Sequence, residues 1–140
     1  MTVRPAIIPA LRYLDAPAAI DFLCRAFGFS EQAVYSDPEN ERIIAHAELV
    51  RDDQMVMLSS ASPTPFAQAA PMQTVAEAGG ITQSLYVVLN DVDGHARVAR
   101  ENGADIFMEP KDQAHGGRSY SARDREGNCW TFGSYDPFAG

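Results

Sequence analysis

Two stretches of the chain carry apolar residues at helical spacing, and the segments around them alternate apolar with polar residues as half-buried strands do. In DAPAAIDFLCRAFGF, Ile20, Leu23, Cys24 and Phe27 fall on one stripe. Asp15 stands at the N-cap, Pro17 in the first turn and Gly28 at the C-terminal stop. This helix is therefore expected to pack its stripe on a sheet. IIPALRYL before it reads as a strand. EQAVYS, RIIAHAELV and MVMLSS follow as three more, the last two joined by a turn at RDDQ.

The second half repeats this order. TQSLYVVLN is strand-like, and DVDGHARVARENG is a helix capped by Asp91 and stopped by Gly103. Val92, Ala96 and Ala99 form its inner side, with Asp93–Arg97 and Arg97–Glu101 as outer i,i+4 pairs. DIFME, RSYSAR and NCWTFGS supply three further strands. The two helix caps stand 76 positions apart (91 − 15), and the final turns align Asp53 with Gly127, 74 apart (127 − 53). Near-equal offsets and a shared β-α-β-β-β order predict a duplicated module, residues 1–59 and 81–140, joined by a linker over 60–80. The linker is rich in Pro, Ala, Gly and Ser and lacks a period. A structureless connection of that length is uncommon, so a helical turn is expected in it. It suits a lid, the crossing segment of a swapped dimer, or a plain connector.

Composition narrows the functions. A net charge of −8 over 140 residues argues against a nucleic-acid partner, which needs a basic surface. An acidic surface favours cationic ligands, or simply keeps a protein soluble. No apolar run approaches the ~18 residues of a membrane span, and MTVRPAIIPALRYLD lacks the apolar core of a secretion signal. Cys24 and Cys129 form no CxxC pair, so neither a disulfide framework nor a zinc site is expected, and a reduced cytoplasmic setting is the default.

The paired modules, the opening ALRYLDAPAAIDFLCRAFGF and the closing RSYSARDREGNCWTFGSY resemble the vicinal oxygen chelate superfamily of glyoxalases, bleomycin-resistance proteins, fosfomycin-resistance enzymes and extradiol dioxygenases. The resemblance implies an α+β fold in which two tandem β-α-β-β-β modules curl eight strands into a U-shaped cavity, commonly completed by a dimer. It also implies four metal-ligand positions, His or Gln on the first strand of each module and Glu on the last. They fall at Ile8, Met57, Leu85 and Thr131, none a normal ligand for a hard divalent ion.

The strand face under a helix is apolar, which leaves the other face for the cavity. Ala45, Ala47 and Leu49 then take the helix side, and Ile44, His46 and Glu48 the cavity side. Met55, Met57, Ile8, Ala10 and Arg12 join the cavity, while Leu11 and Tyr13 lie beneath the helix. The second module offers Gln83, Leu85, Val87, Arg118, Tyr120, Cys129 and Thr131, with Trp130 and Phe132 in the core. Met walls adapt to irregular ligands and Tyr120 offers a stacking surface. Arg12 and Arg118 suit either a ligand carboxylate or phosphate, or structural ion pairs. His46 and Glu48 share one strand face, and a carboxylate beside an imidazole orients it as a general base requires.

The expected protein is a metal-free homodimer without cofactor that sequesters a drug or an aromatic or cationic metabolite. No nucleic acid or membrane is expected as a partner. The alternative is a glyoxalase-like lyase or isomerase using His46 and Glu48 for proton transfer.

Overall fold

Residues 2–139 are described by a computed structural model of the chain. Helix α1, Ala16–Phe27, forms where the Asp15 side chain accepts a hydrogen bond from the Ala18 amide. It ends at Gly28, whose φ of 79° suits a residue without a β carbon. Around α1, strands β1 (Ala10–Tyr13), β2 (Ser30–Asp37), β3 (Asn40–Arg51) and β4 (Gln54–Ser60) form a sheet in the order β1-β4-β3-β2. Only β1 and β4 run parallel. Residues 61–84 then carry two short helices, α2 (Pro65–Ala69) and α3 (Val75–Ala78), started by Thr64 and Thr74 side-chain caps. Among the described residues, α3 has a full capping box, with Thr74 and Glu77 satisfying each other's backbone amides.

The second half repeats the arrangement with β5 (Leu85–Val88), α4 (Val92–Glu101), β6 (Asp105–Asp112), β7 (Arg118–Arg123) and β8 (Cys129–Gly133). Its sheet order is β5-β8-β7-β6, the topology of the first sheet. The expected α+β class and the eight strands are thus present as two four-stranded sheets.

The helix-facing sides of both sheets meet in one core, in which Leu49 and Leu58 of the first half join Val87, Trp130 and Phe132 of the second. Phe27, at the end of α1, is its hub. Its ring centroid lies 4.7 Å from that of Phe132 and 5.5 Å from that of Trp130. Burying such side chains stabilises the fold by roughly 1.5–3 kcal/mol each. The opposite face of each sheet is covered by neither α1 nor α4.

Polar contacts fix the halves further. Asp124, buried in the turn before β8, accepts from Tyr13 Oη at 2.6 Å and from Trp130 Nε1 at 3.1 Å through one oxygen. Its other oxygen accepts from the Glu126 and Asn128 amides. Burial, with Asp124 beside it, pushes the Tyr13 hydroxyl well above its ordinary pKa. Glu126 in turn accepts from the Leu14 and Asp15 amides, so the second module's last turn clasps the start of α1. Gln54 hydrogen-bonds both the carbonyl and the amide of Val88, tying β4 to β5.

His95 on α4 is half-buried between the modules and 4.3 Å from Phe132 by ring centroid. Its Nε2 lies 2.9 Å from the Phe27 carbonyl, which can only accept, so Nε2 carries the proton and Nδ1 accepts from Tyr120 Oη at 2.6 Å. Burial holds the imidazole below its ordinary value of 6.5, with nearby Arg51 adding to the effect and Asp91 and the Phe27 carbonyl opposing it. Above 6.5 the ring is neutral in folded and unfolded chains alike. As pH falls below 6.5 the unfolded chain takes the proton first, and stability is lost until the folded ring titrates. Urea midpoints are therefore expected to fall between neutral and mildly acidic pH in the wild type, and by less in His95→Gln.

Candidate functional site

On the uncovered face of the first sheet, strand pairing aligns Arg12 with Ser59 and Tyr35 with His46. The β3–β4 register, continued one step, sets Ser59 beside His46, so Arg12, Ser59, His46 and Tyr35 form one row. Ala10, Met57, Glu48 and Ala33 form the next, with Met55 beyond it. The Tyr35 ring stacks on His46 at an interplanar angle of 19°. His46 Nε2 lies 2.9 Å from one Glu48 oxygen, and Gln32 donates to the other at 2.9 Å. The His46 hydrogen bond, and after it that of Gln32, holds the Glu48 carboxyl below the usual carboxylate range. An ionised Glu48 only accepts, so His46 Nε2 carries a proton, and among the described residues Nδ1 has no partner.

Ile44 departs from the expected pattern: it is buried in the core while Ala45 is exposed. Tyr35 pairs with His46 but Ser36 pairs with Ile44, so Ala45 is the extra residue of a β-bulge, and the alternation inverts there.

In the second sheet four residues expected on the cavity face lie on the other face of their strands. Leu85 and Val87 sit opposite Trp130 and Phe132 and face the core, whereas Tyr86 sits beside Thr131 on the uncovered face. The run LYVV is apolar on both sides, and a slip of one residue exchanges its faces. Tyr120 is also in the core, paired with Phe132 and bonded to His95. Arg118, on the same side, points to α4 and pairs with Asp93 at 3.1 Å and Asp112 at 3.3 Å, a structural role. RSYSAR puts Arg118, Tyr120 and Ala122 on one side and Ser119, Ser121 and Arg123 on the other, so each side carries an arginine and the pattern does not declare the buried one.

The face that β7 does present carries Ser121, whose Oγ is 2.6 Å from Thr131 Oγ1, with Tyr86 and Met108 to either side. Tyr86 donates to the Tyr135 carbonyl at 2.7 Å and lies across Gly133, where a β carbon would stand 2.5 Å from its hydroxyl. Tyr86, Ser121 and Ser84 were missed by sequence reasoning, although the 76-residue offset between helix caps, applied to Ala10 and Ile8, points to Tyr86 and Ser84.

Between the modules runs a cleft of about 1050 Å³, walled by Ile8, Met55 and Val56 on one side and Leu85, Tyr86 and Val87 on the other. Gln83 also lines it. A second cavity of about 430 Å³ lies under the segment that carries α3, bounded by Arg12, Met72, Thr74, Ile81 and Asn128. Leu11 and Gln83 line both, so the two adjoin. Of the expected site residues, Ile8, Met55, Gln83 and Leu85 meet in the larger cleft, Leu85 at its core-facing edge. Arg12 enters the smaller one, while His46, Glu48, Met57 and Thr131 occupy the sheet faces.

The strand registers also test the metal site that the sequence resemblance implies. Ala10 opposite Met57 corresponds to Tyr86 opposite Thr131, so two residues earlier Ile8 corresponds to Ser84 rather than Leu85. The four positions are then Ile8, Met57, Ser84 and Thr131, which offer two apolar groups and two neutral hydroxyls. A divalent ion of the zinc, nickel or manganese type needs imidazole or carboxylate ligands, so these residues do not fit one. Among the described residues no three His, Cys, Asp or Glu side chains converge elsewhere. No helix among them is long and apolar enough to cross a membrane.

Comparison with known proteins agrees with this geometry. Uncharacterized proteins of Mycobacterium bovis and Mycobacterium tuberculosis are each 30% identical over 133 residues, covering 95% of this chain and 85% and 76% of their own. The crystal structure of TioX from Micromonospora is 30% identical, covers 93% of this chain and 98% of its own, and superposes with a TM-score of 0.70. FosX, a genomically encoded fosfomycin resistance protein from Listeria monocytogenes, shares the fold at 12% identity and a TM-score of 0.70, over 98% of each chain. The glyoxalase/bleomycin resistance protein/dioxygenase superfamily description matches residues 8–132, and the chain belongs to that superfamily.

Proposed function

We propose that this protein binds a small organic molecule with an aromatic or aliphatic body in the cleft between its modules, without a metal ion. Sequestration, as in the bleomycin-resistance branch of the superfamily, is the concrete form of this reading. The observation that carries it is the filling of the four ligand positions by Ile8, Met57, Ser84 and Thr131 beside an apolar cleft. A homodimer would complete the cavity. Each chain leaves one face of both sheets uncovered, and Ile7 and Phe138 next to the cleft are 100% and 96% exposed. The unpaired Cys24 and Cys129 support a reducing, cytoplasmic setting.

A second reading is favoured by one observation, the His46–Glu48 pair with a free Nδ1. Bound between Glu48 and Tyr35, the imidazole is placed to take a proton from a ligand carbon or hydroxyl as an isomerase or lyase requires.

Two measurements separate these readings. Metal analysis and thermal melts with zinc, nickel, manganese and iron are expected to show no stoichiometric ion and no shift in melting temperature. A tightly bound ion would raise stability by mass action and overturn the metal-free reading. A sequestered ligand is expected to be recovered unchanged, whereas turnover lost in His46→Ala would establish the enzyme.

A further inference from the structure

Arg12 and Arg51 are both half-buried with an Nε that finds no acceptor, and of the two it is Arg12 that borders a cavity described above. Arg25, Arg42, Arg97, Arg100, Arg118 and Arg123 each pair with a carboxylate at the surface. Arg12 is half-buried and, among the described residues, has no carboxylate oxygen within 4.0 Å. Glu48, the partner its strand position would suggest, is engaged by His46 and Gln32. Glu77 feels the Arg12 charge, but its Oε1 is held by the amide and hydroxyl of Thr74. The protein acceptor for the guanidinium is the Ser62 carbonyl, which takes a hydrogen bond from Nη2, and Nε is shielded from solvent yet donates to nothing. A guanidinium carries five N–H donors in a planar fork, so most of this one is unused.

That fork borders the 430 Å³ cavity, where Thr82, Gln83 and Asn128 add neutral polar groups. The cavity opens beside the apolar cleft through Leu11 and Gln83. A partly desolvated, unpaired guanidinium next to an apolar volume matches a planar anion on a hydrophobic body, and carboxylates meet such a fork bidentately. We infer that the ligand carries a carboxylate, which Arg12 binds in the smaller cavity while the ligand's apolar body lies in the larger cleft. This inference rests on the reading of the cleft as a ligand site. It runs against the cation preference that the net charge of −8 suggests, because the charge nearest the cavity's polar end is that of Arg12.

The test uses the full chain and three probes that share one ring system: naphthoate, naphthamide and naphthylmethylammonium. Calorimetric titration at neutral pH is expected to show naphthoate binding about tenfold more tightly than naphthamide. In Arg12→Gln that preference is expected to vanish with naphthamide affinity unchanged. In Arg12→Lys, which keeps the charge without the fork, it is expected to shrink; this variant decides the matter if the glutamine variant does not fold. Equal binding of acid and amide, preference for the ammonium probe, or a carboxylate preference that survives in both variants would overturn the Arg12 assignment and leave the cleft reading standing. Failure of all three probes to bind saturably would overturn both.

Discussion

Replacing Phe27 by alanine is expected to cost about 3–5 kcal/mol, a large part of the roughly 5–15 kcal/mol that holds a domain of this size together. The ring is touched by both halves. It meets Phe22 edge-on at 5.2 Å, Trp130 at 5.5 Å, Phe132 at 4.7 Å and His95 at 6.3 Å by centroid. Removing it empties a volume walled by two sheets that are fixed by their own hydrogen bonds, so neither can collapse to fill it. The Phe27 carbonyl is also the acceptor for His95, and a shifted backbone would disturb that contact too. Urea denaturation followed by Trp130 fluorescence measures the loss. A cost under about 1 kcal/mol would mean that the modules do not share this core.

Asp124→Ala is the second large effect. Five donors converge on this carboxylate: Tyr13 Oη, Trp130 Nε1, the amides of Glu126 and Asn128 and, at 3.5 Å, Asn128 Nδ2. Tyr13 and Trp130 are 1% and 0% exposed, so water cannot replace the lost acceptor without opening the core. Each buried donor left unpaired costs about 1–3 kcal/mol, and the substitution is expected to destabilise by at least about 3 kcal/mol. Asp124→Asn keeps an oxygen acceptor and the same shape, and is expected to lose less. Chemical denaturation of both variants checks the order. Equal losses would show that the charge, rather than the acceptor positions, matters at this site.

Both residues illustrate how unevenly the sequence discloses the structure. Phe27 was legible as a member of a helical stripe, because helices repeat their buried positions over several turns and one ambiguous residue does not spoil the period. The caps Asp15 and Asp91, the module order and the strand count were legible for the same reason. Strand faces were less so. His46, Glu48 and Met57 were placed on the correct side because Ala47, Leu49 and Leu58 declare the other. Ile44 was not, since a bulge leaves no mark in composition. Leu85 and Tyr120 were assigned to the wrong face because their strands offer either no polar side or no apolar contrast. Asp124 was invisible altogether: a carboxylate in a polar turn looks solvated until the fold brings Tyr13 to it from 111 residues away.

The amide of Gln54 has a consequence for how relatives of this chain could diverge. Because it gives one hydrogen bond to and takes one from a single residue of β5, Val88, it joins two sheets that share no main-chain ladder. Beside the shared core and the Asp124 and Glu126 contacts, the spacing of β4 from β5 is set by the reach of this side chain and not by a ladder of main-chain bonds. A change in that one residue is expected to alter the width of the cleft while leaving either sheet intact, so the cleft's volume is adjustable independently of the architecture that forms it.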